Sequence, residues 1–135
     1  MMILKSGADL AQHFSSYLIA KVISDNFKLN SIPSAGWVFD GKLWLISKMF
    51  IDEFRNDMKE DGFTVPDTNF LVLRELFEQG LIANISTNDM FKFVQKKTVR
   101  VNERSTVVSL VSFPLEKIWV NSNDYPNELS NVEIS

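Results

Sequence analysis

Residues 36–43 read Gly-Trp-Val-Phe-Asp-Gly-Lys-Leu, and the stretch can be read in two ways that lead to different proteins. A glycine, four residues and then Gly41-Lys42 make the outline of a phosphate-cradling loop, which would put a nucleotide site between a strand and a helix. Such a loop needs small residues so that backbone N–H groups converge on the phosphates, and a Ser or Thr after the lysine to hold magnesium. Here the interior is Trp37, Val38 and Phe39, Leu43 follows the lysine, and Pro33-Ser34 lies just upstream. An Asp-Gly pair between aromatic and aliphatic runs is instead a strong short-range hairpin signal. The stretch is therefore read as a hairpin turning at Asp40-Gly41, with Trp37, Phe39 and Leu43 in sheet and core and Lys42 toward water.

Helical patterns lie on either side of that hairpin. Upstream, Leu10, Phe14, Tyr17, Leu18 and Val22 follow helical spacing over about residues 8–25, behind a cap-type Ser6 three residues before Asp9. A polar linker, 26–34, broken by Pro33, leads to the hairpin. Downstream, Ser47 is placed to cap a second helix with Phe50, Ile51, Phe54 and Met58 as its buried stripe and Gly62 as its stop. Pro66-Asp67-Thr68 opens a third helix in which Phe70, Leu73, Leu76 and Phe77 share a face, and Gly80 sits where a left-handed terminating residue belongs. From Phe91 the period changes to two: Val99 and Val101 alternate with Thr98, Arg100 and Asn102, and residues 105–113 are rich in β-branched side chains. These are two strands joined near Asn102–Arg104. The order helix, hairpin, helix, helix, strand, strand predicts an α+β, winged-helix-like domain over 1–119, with the terminal hairpin as wing. Residues 120–135 lose both periodicity and hydrophobicity and are expected to form a loosely ordered acidic tail.

Composition narrows the function classes. The 135-residue chain is 45% apolar, enough for one core, and it has no cysteine, so neither disulfides nor thiolate metal sites can form. No apolar run spans a bilayer and no signal peptide is visible, so a soluble cytoplasmic protein without membrane contact is expected. The doubled Met1-Met2 start is read as the head of a segment from a larger protein. Net charge is −3, unevenly spread: residues 1–88 hold 8 basic and 11 acidic groups, 89–117 hold 6 and 3, and 118–135 hold none and 3. One basic stretch thus lies between acidic flanks.

That stretch supplies the candidate site. Lys92, Lys96, Lys97, Arg100 and Arg104 fall on the terminal hairpin, where alternate residues share a face, so Lys96, Arg100 and Arg104 are expected to line up and contact DNA phosphates. The same lysines also suit protection of an exposed sheet edge. The third helix, with Glu75 and Glu78 beside Arg74, is a poor helix for a DNA groove. His13, the one histidine, lies off the apolar stripe without convergent carboxylates. The pairs Asp52-Glu53 and Glu60-Asp61 lie on the polar side of the second helix and read as solvated charge. Trp37, Trp44 and Trp119, with eleven Phe, read as core rather than as a base-stacking platform. No catalytic, metal or cofactor residues are assigned.

The linear pattern from Gly7 to Trp119 resembles the carboxy-terminal domain of TraI-type conjugative relaxases of the MobH class, a conjugal transfer nickase/helicase family. The landmarks are Gly7, Phe14 and Leu18; Leu29-Asn30 and Ala35; Leu43-Trp44-Leu45-Ile46-Ser47 leading to Phe50; Val65-Pro66; Leu76 with Gly80-Leu81; and Leu110, Phe113-Pro114 and Ile118-Trp119. The resemblance implies a non-catalytic winged-helix module at the end of a large plasmid or integrative-element protein. The family's nicking chemistry is attributed to an amino-terminal metal-binding region with His-Asp motifs, which has no counterpart here. Where the family runs toward a His before the hairpin, this chain has Gly36-Trp37, so no role for that His carries over. The implied partner is DNA, held through phosphate contacts; the alternative is a module that docks relaxosome proteins or a second copy of itself.

Overall fold

A computed structural model describes residues 2–3, 7–24, 27–32, 34–82 and 93–135, with side chains from Asp9 onward. In chain order the elements are β1 (Met2–Ile3), α1 (Gly7–Val22), β2 (Gly36–Phe39), β3 (Lys42–Ile46), α2 (Ser47–Glu60), β4 (Phe63–Thr64), α3 (Asn69–Glu78), β5 (Gln95–Val101), β6 (Arg104–Pro114), α4 (Leu115–Ile118), a single 3-10 turn at Ser122–Asp124 and β7 (Val132–Ile134). Several local signals are realised as expected. Asp40 and Gly41 both take positive φ, 54° and 71°, the geometry a two-residue turn needs to match strand twist. Thr68 caps α3, its hydroxyl accepting from the Leu71 N–H at 3.2 Å. At the other end Gly80, φ 81°, closes a Schellman motif in which the N–H groups of Leu81 and Gly80 donate to Leu76 and Phe77 carbonyls, each at 3.0 Å. Ser47 departs from expectation: it is the first residue of α2 itself, buried, and makes no capping bond. Ser6 lies outside the described residues.

The winged-helix expectation is overturned by the sheet. Five antiparallel strands run in the order β2-β3-β6-β5-β7, with a separate parallel pair β1-β4. A winged helix is dominated by its helices, and the first hairpin and the wing are small additions to them; a five-stranded, nearly closed sheet is no such addition. Here β6 is 11 residues long and serves both hairpins: its first half pairs with β5 from Arg104 to Leu110, and its second half with β3 from Leu110 to Pro114. The segment expected to be a loose tail supplies the fifth strand, pairing Val132 with Val101 and Ile134 with Val99. Curvature then brings the edge strands β2 and β7 close together, so that the sheet is nearly a closed barrel.

Asn30 clasps that seam. Its side chain donates to the Asn127 carbonyl at 2.9 Å and accepts from the Val38 N–H at 2.7 Å, while its backbone N–H donates to Gly36 at 3.1 Å. Nearby, the Glu128 carboxylate accepts from the Asp40 N–H at 2.5 Å.

Two cores follow from the closure. On the outer side of β2, β3 and the second half of β6, the side chains of Val38, Leu43, Leu45, Val111 and Phe113 meet Leu10, Phe14 and Leu18 of α1, Phe50, Ile51 and Phe54 of α2, and Val72, Leu73 and Leu76 of α3. On the inner side, Trp37, Trp44, Val99, Val101, Leu110 and Val132 fill the curled sheet. Successive strand residues therefore enter different cores, which is why β2 and β3 read as unbroken apolar runs instead of alternating ones. Gly36 has to be small: a Cβ there would lie 2.8 Å from Leu45 Cδ2 and 3.1 Å from Leu29 Cδ2.

Candidate nucleic-acid interface

The first half of the β5–β6 hairpin, unlike the second, has an outer face that the described helices leave bare. Lys96, Thr98 and Arg100 on β5 and Ser105, Val107 and Ser109 on β6 are all exposed, and the register sets Lys96 opposite Ser109, Thr98 opposite Val107 and Arg100 opposite Ser105. At about 3.3 Å per residue, Lys96 and Arg100 stand roughly 13 Å apart on one side of the sheet. The Thr98 hydroxyl lies between them, Ser109 and Ser105 stand across from them, and the carboxylate nearest in register is Glu133, opposite Arg100 on β7. Opposite charges facing across strands attract, which damps the field at that end of the row.

The five basic candidates do not form one row. Lys96 and Arg100 share the bare face. Arg104 does not join them, because the turn is two residues long and pairs Arg104 directly with Val101, whose side chain enters the inner core. Its guanidinium Nη1 donates to the Ile32 carbonyl at 3.0 Å, beside a polar cleft lined by Asn30, Ser31, Asn102 and Asn131. Lys97, opposite Val108, is likewise on the inner side and half-buried. Lys92 lies outside the described residues.

At the Ser109 end, the bare face runs into a groove of about 400 Å³ between α3, the start of α2 and the hairpin. Phe70, Leu73, Phe93 and Val94 make its apolar lining, with Lys48 and Asn69 among its polar groups. Phe70 was expected on the buried face of its helix, yet it is 40% exposed. Its ring rests against Phe93, centroids 5.7 Å apart, and Phe93 rests in turn against Phe77 at 5.3 Å. Asn69 is fixed by donating to Asp52 Oδ1 at 2.7 Å and accepting from Arg55 Nη1 at 3.3 Å; Arg55 also donates to the carbonyls of Pro66, at 3.0 Å, and Asp67, at 2.5 Å. Hydrogen bonds from Lys48 and then Asn69 hold the Asp52 carboxyl below the usual carboxylate range. Sequence reading missed the groove because it joins three elements distant in the chain; the signal present was a Phe at the exposed edge of a helical stripe.

The remaining polar groups serve the fold. Tyr17 of α1 donates to Asp57 Oδ2 of α2 at 2.5 Å, and its phenol is pushed far above its ordinary value by burial, by that bond and by the charge of Glu53. Lys21 pairs with Glu53 and sits 5.5 Å from the Tyr17 ring centroid. The imidazole of His13 donates from Nδ1 to the Asp9 carbonyl at 2.9 Å and packs edge-on against Phe63 at 4.9 Å. Trp37 and Trp44 donate their indole N–H groups to the Ser31 and Phe39 carbonyls, and Trp119 is buried in the helical core. Among the described residues no three His, Asp or Glu side chains gather as metal ligands, and no described helix is long and apolar enough to cross a membrane.

The fold class is thus an antiparallel, nearly closed five-stranded sheet with helices packed on one side. The crystal structure of the C-terminal domain of the Salmonella enterica protein STY4665, a DUF1528 domain, has a similar fold: TM-score 0.58 over 94% of this chain and 97% of that one, at 10% sequence identity. No family model and no curated protein matches the chain.

Proposed function

We propose that this chain is a non-catalytic accessory domain of a TraI-type conjugative relaxase and that it helps the parent protein engage DNA through phosphate contacts. The observation that carries the DNA contact is the bare outer face of the β5–β6 hairpin, with Lys96 and Arg100 on one side and Thr98, Ser105 and Ser109 as neutral donors among them. Phosphate oxygens take hydrogen bonds from just such lysines, arginines and hydroxyls, and these contacts position a protein without reading sequence. The relaxase context rests on the landmark residues of the sequence. Most of those with described side chains are core residues: Phe14, Leu18, Leu43, Leu45, Phe50, Leu76, Phe113 and Trp119 are all buried. A similar fold at the carboxy-terminal end of another protein fits an appended module.

Binding through two or three phosphates is weak, tolerant of sequence and steeply salt-dependent. Fluorescence anisotropy with labelled DNA at low salt tests it. Binding that weakens with salt and is reduced severalfold, with a shallower salt dependence, in Lys96→Ala/Arg100→Ala is the expected result; no binding, or binding indifferent to that double substitution, overturns it.

A second reading, docking of a relaxosome protein or a second copy, is favoured by a different surface. A cleft of about 430 Å³ beside α1 is lined by Ile23, Leu129, Tyr125 and Pro126, and Ile23 is 76% exposed. Concentration-dependent mass by light scattering, abolished by Ile23→Glu, is the outcome that reading requires.

A further inference from the structure

We infer that the nucleic acid engaged by the hairpin face is single-stranded and that one of its bases seats in the groove between α3 and β6. The inference rests on the DNA reading above and specifies its substrate. A duplex offers a protein its backbone and its grooves, and entering a groove takes a protruding helix or ribbon with cations along it. Among the described residues nothing on this face has that form: Lys96 and Arg100 lie on a sheet surface, and α3 carries Glu75 and Glu78. A single strand offers something else, unpaired bases with open π-faces, and proteins hold it by combining a basic track with aromatic side chains.

The bare face and the groove provide that combination in one continuous surface. Lys96 stands across the strand pair from Ser109, and Ser109 is itself a wall of the groove, so a backbone tracking from Arg100 past Lys96 arrives at the groove mouth. There Lys48, whose side chain is largely exposed, gives one N–H to Asp52 at 2.7 Å and keeps two for other acceptors. The floor beneath is apolar, and the partly exposed Phe70 rests against the Phe93 ring, which rests in turn against Phe77. A volume of about 400 Å³ accommodates a nucleobase. Among the described residues, the carboxylates beside this path do not oppose it: Asp52 is engaged by Lys48 and Asn69, and Glu133 lies at the Arg100 end, away from the groove.

The test compares labelled oligothymidine with a duplex of equal length at low salt, in the intact chain and in Phe70→Ala, Phe70→Leu and Phe70→Tyr. The expected result is tighter binding of the single strand, a loss of about tenfold in Phe70→Ala and Phe70→Leu, the effect of removing one base–aromatic contact, and retention in Phe70→Tyr. The slope of log affinity against log salt stays the same in the Phe70 variants and becomes shallower by about 1.4 in Lys96→Ala/Arg100→Ala, which removes two phosphate contacts. Phe70→Leu keeps an apolar side chain of similar bulk, so the comparison with Phe70→Tyr survives even if Phe70→Ala does not fold. Duplex binding as tight as the single strand, or equal affinity in Phe70→Leu and Phe70→Tyr, overturns the inference while leaving phosphate contact intact; the second of these outcomes is also what a groove made for a protein segment gives. Absence of binding to either DNA overturns both readings.

Discussion

The two halves of β6 are one strand in two environments. From Leu110 to Phe113 every residue is buried, Val111 and Phe113 under the helices and Leu110 in the inner core. From Ser105 to Ser109 the same strand carries an outer face that nothing among the described residues covers, and Val107 on it is 57% exposed. The difference separates residues that hold the fold from residues free to do something else. It also explains why the basic side chains sit where they do: a charge on the outer side of the second half would have to be buried, at a cost of several kcal/mol, roughly, while on the first half it stays in water.

The contrast is sharpest in stability. Phe113→Ala, which empties a site in contact with Phe14 at 5.2 Å, is expected to lower unfolding free energy by about 3–5 kcal/mol in urea titrations, whereas Val107→Ala should change it by no more than about 0.5 kcal/mol. Equal losses at the two positions would break the comparison. Next in size is the seam. Asn30→Ala leaves the Val38 N–H and the Asn127 carbonyl without their partner and places a Cβ residue without a helpful side chain at φ 63°; a loss of about 2 kcal/mol is expected, with faster amide exchange at Val38. Gly36→Ala forces the buried Leu45 side chain to shift and should cost about 1–2 kcal/mol by the same titration.

Smallest is the network beneath the groove. Because the Asp52 carboxyl is held below its ordinary value, its contribution to stability is present above the unfolded-state pKa and is lost as pH falls through the lower folded-state one. Asp52 is more than a third exposed, so solvent screens the effect, and Asp52→Asn should cost less than about 1 kcal/mol at pH 7, with the gap to the unaltered protein closing in strongly acidic buffer. A gap that widens on acidification would contradict the assignment.

Much of the local structure was legible because its causes are local. Asp40-Gly41 demanded a turn, Thr68 a helix start and Gly80 a helix end, and each does that work in the folded chain. The closure was not legible, because the pairing of β3 with β6 joins Leu43 to Phe113 and Leu45 to Val111, residues 70 and 66 positions apart in the chain, and no local signal reports such a pairing. One clue was present: the runs Trp37-Val38 and Leu43-Trp44-Leu45 are apolar on both faces, which a solvent-backed hairpin would not need. β7 escaped notice since three residues show too little alternation to stand out from a polar segment. For the site, counting by twos along one strand put Lys96 and Arg100 together correctly, but carrying the count through the turn failed. A two-residue loop sets Arg104 beside Val101, so it faces inward and spends a hydrogen bond on Ile32.

Backbone amide shifts during titration with oligothymidine test most directly whether the bare half of the hairpin is the working surface. Movement concentrated at Lys96, Thr98, Arg100, Val107, Ser109 and Phe70, with the Phe113 and Trp44 environments unmoved, is the predicted result. Shifts gathered around Ile23 and Leu129 instead, or no shifts at all, would contradict it.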